Sequence, residues 1–399
     1  MLNIDSELLA AADKTEAKLT DIFAAIDRVT AHNARRVLEA FIAERVSESH
    51  FAPTTGYGYN DRGRDTLDRV FARSLGYEDA LVRHTFASGT HAIATALFGV
   101  LRPGDRLLGL TGAPYDTLQG VLAGSPGSLA EFGIEYIEGM DKLSDPQVKM
   151  VHIQRSRGYS QRASLTVDEI DALIAQVKTK RPDVVCFVDN CYGEFVEERE
   201  PAADITAGSL IKNPGGGIAD NGGYIAGRAD LVELCAARMT VPGIGREVGA
   251  TLGHNRTLFM GLYHAPHAVG EALKTAAFAA ALFASFGYNV SPTANEKRGD
   301  IVQSILLGSP EKLIAFCQGL QAGSPVDSFV SPQPWAMPGY DHEVIMAAGT
   351  FTMGASIELS ADAPLREPYT VYLQGGLHYE PAKWGMLSAA GEMKKRGLL

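Results

Sequence analysis

The sequence predicts an α/β fold: a mostly parallel central sheet covered by helices, followed by a smaller α+β unit at the C-terminal end. Three observations carry this expectation. Between residues 61 and 285, short apolar runs of strand length alternate with segments of helical period, the signature of repeated βα units. After about residue 286 that alternation gives way to a mixture of helices and strands. The chain has 399 residues, of which 46% are apolar and 21% charged, so it is long for a single core and too apolar for global disorder.

Taken in order, residues 1–60 form a helical segment and arm. From Ser6 to about His50 the chain is rich in Ala, Leu, Glu and Arg at helical spacing, as in ARRVLEAFIAERV, and two or more helices are expected. FAPTTGYGYNDRGRD (51–65) has no period and reads as an extended connection. Within residues 61–285, ALVRHTF, RLLGLT, KMVHIQ, DVVCFVDN and GGYIAG read as strands, and THAIATALFGVL, TVDEIDALIAQVK and ADLVELCAARM as helices. Ligands of such a domain are expected at the carboxyl ends of its strands. TAAFAAALFASFGY (275–288) is shorter than the roughly 20 residues of a membrane span, abuts Lys274, and reads as a buried helix. Residues 286–399 carry a helix at PEKLIAFCQGLQ, strands at EVIMAAGTF and YTVYLQGG, and a closing helix at PAKWGMLSAAGEMKK.

Composition narrows the function classes. There are 36 basic and 47 acidic residues, a formal charge of -11, which opposes phosphate-backbone binding, so no nucleic-acid partner is expected. The N-terminus, MLNIDSELLAAADK, lacks a basic region followed by an apolar core, so the cytoplasm is the expected compartment and no membrane partner is expected. Cys186, Cys191, Cys235 and Cys317 form no CxxC pair and read as free, buried thiols. His91, His152, His254 and His264 lack metal-ligand spacing and read as structural, so no metal is expected.

One stretch concentrates chemistry. GSLIKNPGGGIADNGGYIAG (208–227) puts Lys212 between an apolar run and a string of glycines. A phosphate-cradling P-loop carries its lysine after the glycines, and here the lysine comes first. Lys212 is then either a solvated loop cation or an amine at a strand end, where burial is expected to lower its pKa and make it a nucleophile for a Schiff base. Asp189 closes DVVCFVDN, 23 residues before Lys212. It can cap the following turn or pair with a cationic ring nitrogen. Ser88, Gly89 and Thr90 open a helix, serving as an ordinary N-cap or as an anion site of free amides and small hydroxyls. Tyr115 in APYDTLQG follows a strand and a proline, and either packs or covers a planar cofactor.

Lysine nucleophile, strand-end aspartate, phosphate-ready helix start and aromatic cover are what a pyridoxal phosphate enzyme of the aminotransferase fold needs. The sequence resembles the Cys/Met-metabolism lyases of that fold (fold type I). It looks most like the branch labelled methionine gamma-lyase-like or aluminium resistance protein, described as candidate cystathionine beta-lyases. The resemblance runs from about YGYNDRGRDTLDRVF to YTVYLQGGLHYE. It is most specific in FASGTHAIATALFGVLRPGD, HIQRSRGYSQR, VDNCYGEF and GSLIKNPGGGIADNGGYIAG.

The resemblance implies pyridoxal 5'-phosphate as cofactor, with Lys212 as its covalent anchor, Asp189 on the pyridine nitrogen, and Ser88, Gly89, Thr90 and Ser209 on the phosphate. Tyr115 would stack on the ring. Related lyases bring a Tyr and an Arg from a neighbouring subunit to the phosphate; Tyr59 and Arg62 are similar, although the spacing is Tyr-x-x-Arg and Tyr57 competes. Ile211 stands where many of these lyases carry Thr. Arg366, in the region where the fold supplies a substrate-carboxylate arginine, is either that residue or a solvated loop charge. Ser156 and Arg157 follow a strand and are candidates for the cofactor's phenolic oxygen, while Arg155 and Arg162 read equally well as surface charges. The implied reaction is elimination of a thiol from a sulfur amino acid, with Lys212 moving the α proton and Tyr115 protonating the departing sulfur. An aminotransferase or decarboxylase, and a non-catalytic cofactor-binding stress or metal-resistance protein, are the competing expectations. The implied assembly is at least a dimer, and a homotetramer by resemblance.

Overall fold

A computed structural model describes residues 4–337 and 340–399. The N-terminal helical pattern resolves into α1 (Ser6–Glu16) and α2 (Thr20–Ala43). Asp5 caps α1, its carboxylate accepting the Glu7 amide at 2.8 Å. Residues 52–61 are irregular, tied to a later loop by bonds from the Gly249 amide to the Tyr57 carbonyl and from the Leu252 amide to the Thr54 carbonyl. The extended connection is shorter than expected, because Asp61 caps a helix that starts at Arg62: α3 (Arg62–Leu75), which stops at Gly76 in the left-handed region (φ 80°).

The main sheet is built from β1 (Asp79–Arg83), β2 (Arg106–Gly109), β3 (Glu135–Glu138), β4 (Val148–Gln154), β5 (Val185–Asp189), β6 (Ile205–Ser209) and β7 (Gly223–Gly227). Its helices are α4 (Gly89–Val100), α5 (Asp116–Leu122), α6 (Val167–Lys180) and α7 (Ala229–Met239). The strand order is β1-β7-β6-β5-β4-β2-β3, parallel apart from β7, which runs against both its neighbours. The strands read as near-continuous apolar runs because both faces are covered. Alternation across β5 shows it: Phe187 packs with α4 and α7 residues such as Ala96 and Val232, while Cys186 and Val188 pack with Ile170 and Ile174 of α6. Thr166 and Glu169 form a capping box at the start of α6.

The long α8 (Asn255–Ser285) is apolar enough to cross a membrane by length and composition, but most of its apolar window is buried among other elements of the protein. It leads to a second sheet of β8 (Asn289–Ser291), β9 (Gln303–Leu306), β10 (Val344–Ala347), β11 (Ser360–Pro364) and β12 (Thr370–Gln374), ordered β10-β11-β12-β9-β8 and antiparallel throughout. The helix α9 (Pro310–Ala322) packs on it, and α10 (Tyr379–Lys395) packs on α9 and α8. Leu8, Ala12 and Leu19 of the N-terminal segment join this second core beside Phe278, Phe316 and Met386.

Candidate active site

The carboxyl ends of β4, β5 and β6 and the N-terminus of α4 enclose a cavity of about 240 Å³. Seven of the residues singled out from sequence line it: Lys212, Asp189, Ser88, Gly89, Thr90, Tyr115 and Ser209; Ser156 also lines it. Their meeting follows from topology, since β5 and β6 are adjacent and parallel with Asp189 opposite Ala207, so Lys212 emerges beside Asp189 at one sheet edge.

The glycines after Lys212 are explained by packing. A Cβ on Gly215 would stand 1.6 Å from the Leu210 carbonyl oxygen, and one on Gly216 (φ 57°) would stand 2.4 Å from the Gly261 carbonyl oxygen of α8. Only a chain without side chains folds back on itself there and seats against the helix. The segment is pinned further by the Ile357 amide donating to the Ile211 carbonyl (3.1 Å) and by buried Asn213, whose side chain donates to the Glu194 carbonyl (2.9 Å). Lys212 is half-buried, with Nζ 4.1 Å from the centroid of the Tyr192 ring.

The lysine's charge departs from the sequence expectation. Burial does disfavour the ammonium, but Cys191, Tyr192, Asp189 and Glu194 outweigh it, and Lys212 is held above the ordinary lysine range. Burial lifts Cys191 and Tyr192 above their own ordinary values and Glu194 to about 8. Asp189 is buried and accepts the Cys191 amide at 3.1 Å. Burial depresses neighbouring His152 to about 4, so its ring, stacked on Phe187, is neutral.

At the start of α4, the Ser88 hydroxyl accepts the His91 amide at 3.1 Å, while the first-turn amides of Gly89 and Thr90 have no intrahelical acceptor. A Cβ on Gly89 would come within 2.9 Å of Ser209 Cβ and 3.4 Å of Cys191 Sγ. Glycine thus lets the helix start close on Ser209, making a cradle of amides and hydroxyls suited to a phosphate. The Tyr115 amide donates to Gln154 Oε1 (2.8 Å), which sets the ring at the cavity side. An amine, a carboxylate, an anion cradle and an aromatic side chain around one cavity fit a planar cationic ring bearing a phosphate.

Three predicted site residues lie outside this lining. Tyr59 is exposed and stacks on exposed Tyr57 (5.4 Å, 22°), and Arg62 is exposed at the start of α3. Arg366 is half-buried and donates to the Tyr159 carbonyl at 3.4 Å; among the described residues no arginine lines the cavity. Arg157 turns away to Ser291 and Ser304 of the second sheet. Arg155 is no surface charge but fully buried, bonded to Asn190, Glu197 and Glu200, and Arg162 is half-buried on the Gln154 and Ser156 carbonyls. Sequence reasoning missed Tyr192, although it sits in VDNCYGEF; its positive φ of 70° swings the ring over the lysine. It also missed Tyr340, whose Oη is 2.6 Å from Tyr115 Oη. No group of three or more His, Cys, Asp or Glu able to hold a metal ion occurs among the described residues.

Sheet order and strand-end lysine define the fold of the type I pyridoxal phosphate enzymes; the pyridoxal-5'-phosphate dependent protein YhfS of Escherichia coli shares it at 17% identity and a TM-score of 0.60, over 92% of this chain and 96% of that one. Within that fold the chain belongs to the methionine gamma-lyase family, whose model matches residues 8–394. It is similar to the uncharacterized protein YnbB of Bacillus subtilis (strain 168), 48% identical over 408 residues and 97% of each chain. It is also similar to the solved carbon-sulfur lyase involved in aluminum resistance from Clostridium novyi NT, 47% identical over 98% of this chain and 97% of that one, TM-score 0.94. A candidate cystathionine beta-lyase involved in aluminum resistance from Listeria innocua is 48% identical over 97% of this chain and 99% of that one, TM-score 0.94.

Proposed function

We propose that the chain binds pyridoxal 5'-phosphate and is a carbon-sulfur lyase that eliminates a thiol from a sulfur amino acid, leaving a 2-oxo acid and ammonia. The observation that carries this is Lys212, an amine open to a cavity that is also lined by Asp189 and the free helix start at Ser88–Thr90. The cofactor, when bound, supplies a cationic ring that accepts the electron pair left at the substrate's α carbon. Ser88, Thr90 and Ser209 with the Gly89 and Thr90 amides take the phosphate, and Asp189 keeps the ring nitrogen protonated. Lys212 Nζ takes and returns the α proton. Tyr115 covers the ring and offers its Oη to the departing sulfur. Exposed Tyr59 and Arg62 belong, on this reading, to the phosphate site of a second copy, in a cytoplasmic homo-oligomer.

The test begins with absorption of the purified protein loaded with pyridoxal phosphate, followed by borohydride reduction and peptide mapping. A yellow protein whose reduced adduct maps to Lys212 is expected. Turnover is then measured as thiol and 2-oxo acid released from L-cystathionine and L-methionine. Lys212→Ala should lower that rate by about 1000-fold, and a variant retaining full lyase activity would sink the proposal. An amino acid formed from added 2-oxo acid would point instead to an aminotransferase, and bound cofactor without turnover of any sulfur amino acid to a binding protein.

A further inference from the structure

The ring that covers Lys212 is placed there by a strained turn. Lys212 Nζ stands 4.1 Å from the centroid of the Tyr192 ring, the closest contact of a cation with an aromatic face among the described residues, the others lying between 4.8 and 5.7 Å. Nζ has no ion pair and no hydrogen bond among those residues, so the ring face is its partner. Tyr192 follows β5 in the left-handed region (φ 70°), where a bulky side chain is strained. Neighbouring bonds pin the turn: the Cys191 amide donates to Asp189 Oδ1 (3.1 Å), the Gly193 amide to the Asn190 carbonyl (2.8 Å) and the Ile301 amide to the Tyr192 carbonyl (3.3 Å). Asn190 is fully buried and bonded to Arg155 (2.9 Å) and Glu200 (3.0 Å). Strain held in this way gathers at functional sites.

We propose that the face of the Tyr192 ring is the seat of the Lys212 ammonium, holding Nζ in place whenever the lysine is not bonded to the cofactor and strengthening it as acceptor of the α proton. This rests on the lyase reading above. Once the substrate amine has displaced it, Lys212 is a free amine. The α C–H bond then breaks, its electron pair stays behind at the carbon, and its proton goes to the Nζ lone pair, forming one N–H bond and one positive charge. An aromatic face attracts that charge far more than the neutral amine. The gain therefore appears as the proton moves, which is the kind of contact that speeds a reaction. When Nζ returns the proton, the charge leaves and the amine is released from the ring. Tyr192 acts through Lys212, by its ring and not by its hydroxyl.

The surroundings suit a seat of this kind. The titratable groups facing Nζ are Asp189, Cys191, Tyr192 and Glu194 around the end of β5 and, from the second unit, Tyr340 and Asp362, the latter facing Tyr159 in the middle of β11. Among them Lys212 is held above the ordinary lysine range. The Tyr192 ring lines the cavity on one side and packs on the core shared by α3 and α8 on the other. A cation over a ring shielded from bulk water is attracted more strongly than one at an exposed site.

The test grades the ring face while keeping its shape. Tyr192 is replaced by Phe and by mono- and trifluorinated Phe, because ring fluorines withdraw the negative charge that draws a cation to the face. Each full-length protein is freed of cofactor with hydroxylamine and treated with formaldehyde and borohydride at about pH 8, which methylate only an uncharged amine, and methylation of Lys212 is read by peptide mapping. Tyr192→Phe should keep the native rate and the trifluorinated protein should react about 10-fold faster, with the monofluorinated one between. Equal rates through the fluorinated series overturn the proposal, as does a Tyr192→Phe protein that already reacts as fast as the trifluorinated one, which would give the effect to the hydroxyl. In the loaded protein, 2-oxo acid release from L-cystathionine should fall about 10-fold along the same series, with a growing isotope effect when the α hydrogen is deuterium. A methylation series that moves while the isotope effect stays fixed overturns the assignment to proton transfer. A native protein that cleaves no sulfur amino acid sinks the lyase reading instead, and methylation then decides the lysine seat alone.

Discussion

The loop that carries Lys212 owes its position to α8, and Gly261→Ala tests this. An alanine Cβ there would sit 2.5 Å from the Gly215 carbonyl oxygen. A close carbon-oxygen contact needs about 3.3 Å, so the loop and helix must part by about 0.8 Å. Overpacking of this kind costs about 1–3 kcal/mol, and replacing a mid-helix glycine returns about 1 kcal/mol. Stability should therefore fall by no more than about 2 kcal/mol in urea unfolding. The larger effect falls on Lys212, three residues from Gly215, because a misplacement of about 1 Å at a reacting group costs about 100-fold in rate. The control is Gly391→Ala on α10, whose Cβ would meet only Leu8 Cδ1, at an ordinary 3.8 Å. That variant should gain about 0.5–1 kcal/mol and leave 2-oxo acid release unchanged. If Gly261→Ala also gains stability and keeps its rate, the loop is not seated by the helix and this account of the glycines is wrong.

Two further outcomes follow from buried charge. Asp68 of α3 accepts from the Val82 amide at 2.8 Å and from Arg83 Nη1 at 2.6 Å, both side chains being buried. Asp68→Ala strands the guanidinium and should lower unfolding free energy by about 3–5 kcal/mol, and a loss under about 1 kcal/mol would show that the pair behaves as a surface bridge. Burial raises Glu194, bonded to Tyr224 Oη at 2.8 Å, to about 8 from an ordinary 4.5. The folded state then holds a proton the unfolded chain has lost, so this contribution is complete below about 4.5 and is lost as pH rises through about 8. Native stability should decline by about 1 kcal/mol per pH unit across that window, and Glu194→Gln should flatten the decline; parallel curves for the two proteins would refute the assignment.

The parts of the site visible in the sequence are those marked by a local pattern. Asp189 ends an apolar run, Ser88–Thr90 begin a helical one, and Lys212 interrupts a run with glycines; sheet order alone then brings them together. The parts that stayed hidden depend on packing between distant segments. β11 reads SADAP, whose Ser, Asp and Pro are turn formers, yet all five residues are buried. Tertiary context overrides propensity there, and the acid at its centre is the one that faces Tyr159. Tyr340 lies in an irregular stretch with no period to fix its direction. The lysine's charge was hidden for a different reason. Burial, legible from apolar neighbours, argues for a neutral amine, but the sign is decided by the groups around Nζ, and those converge only when β5 and β6 are paired and Glu194 folds beneath the loop.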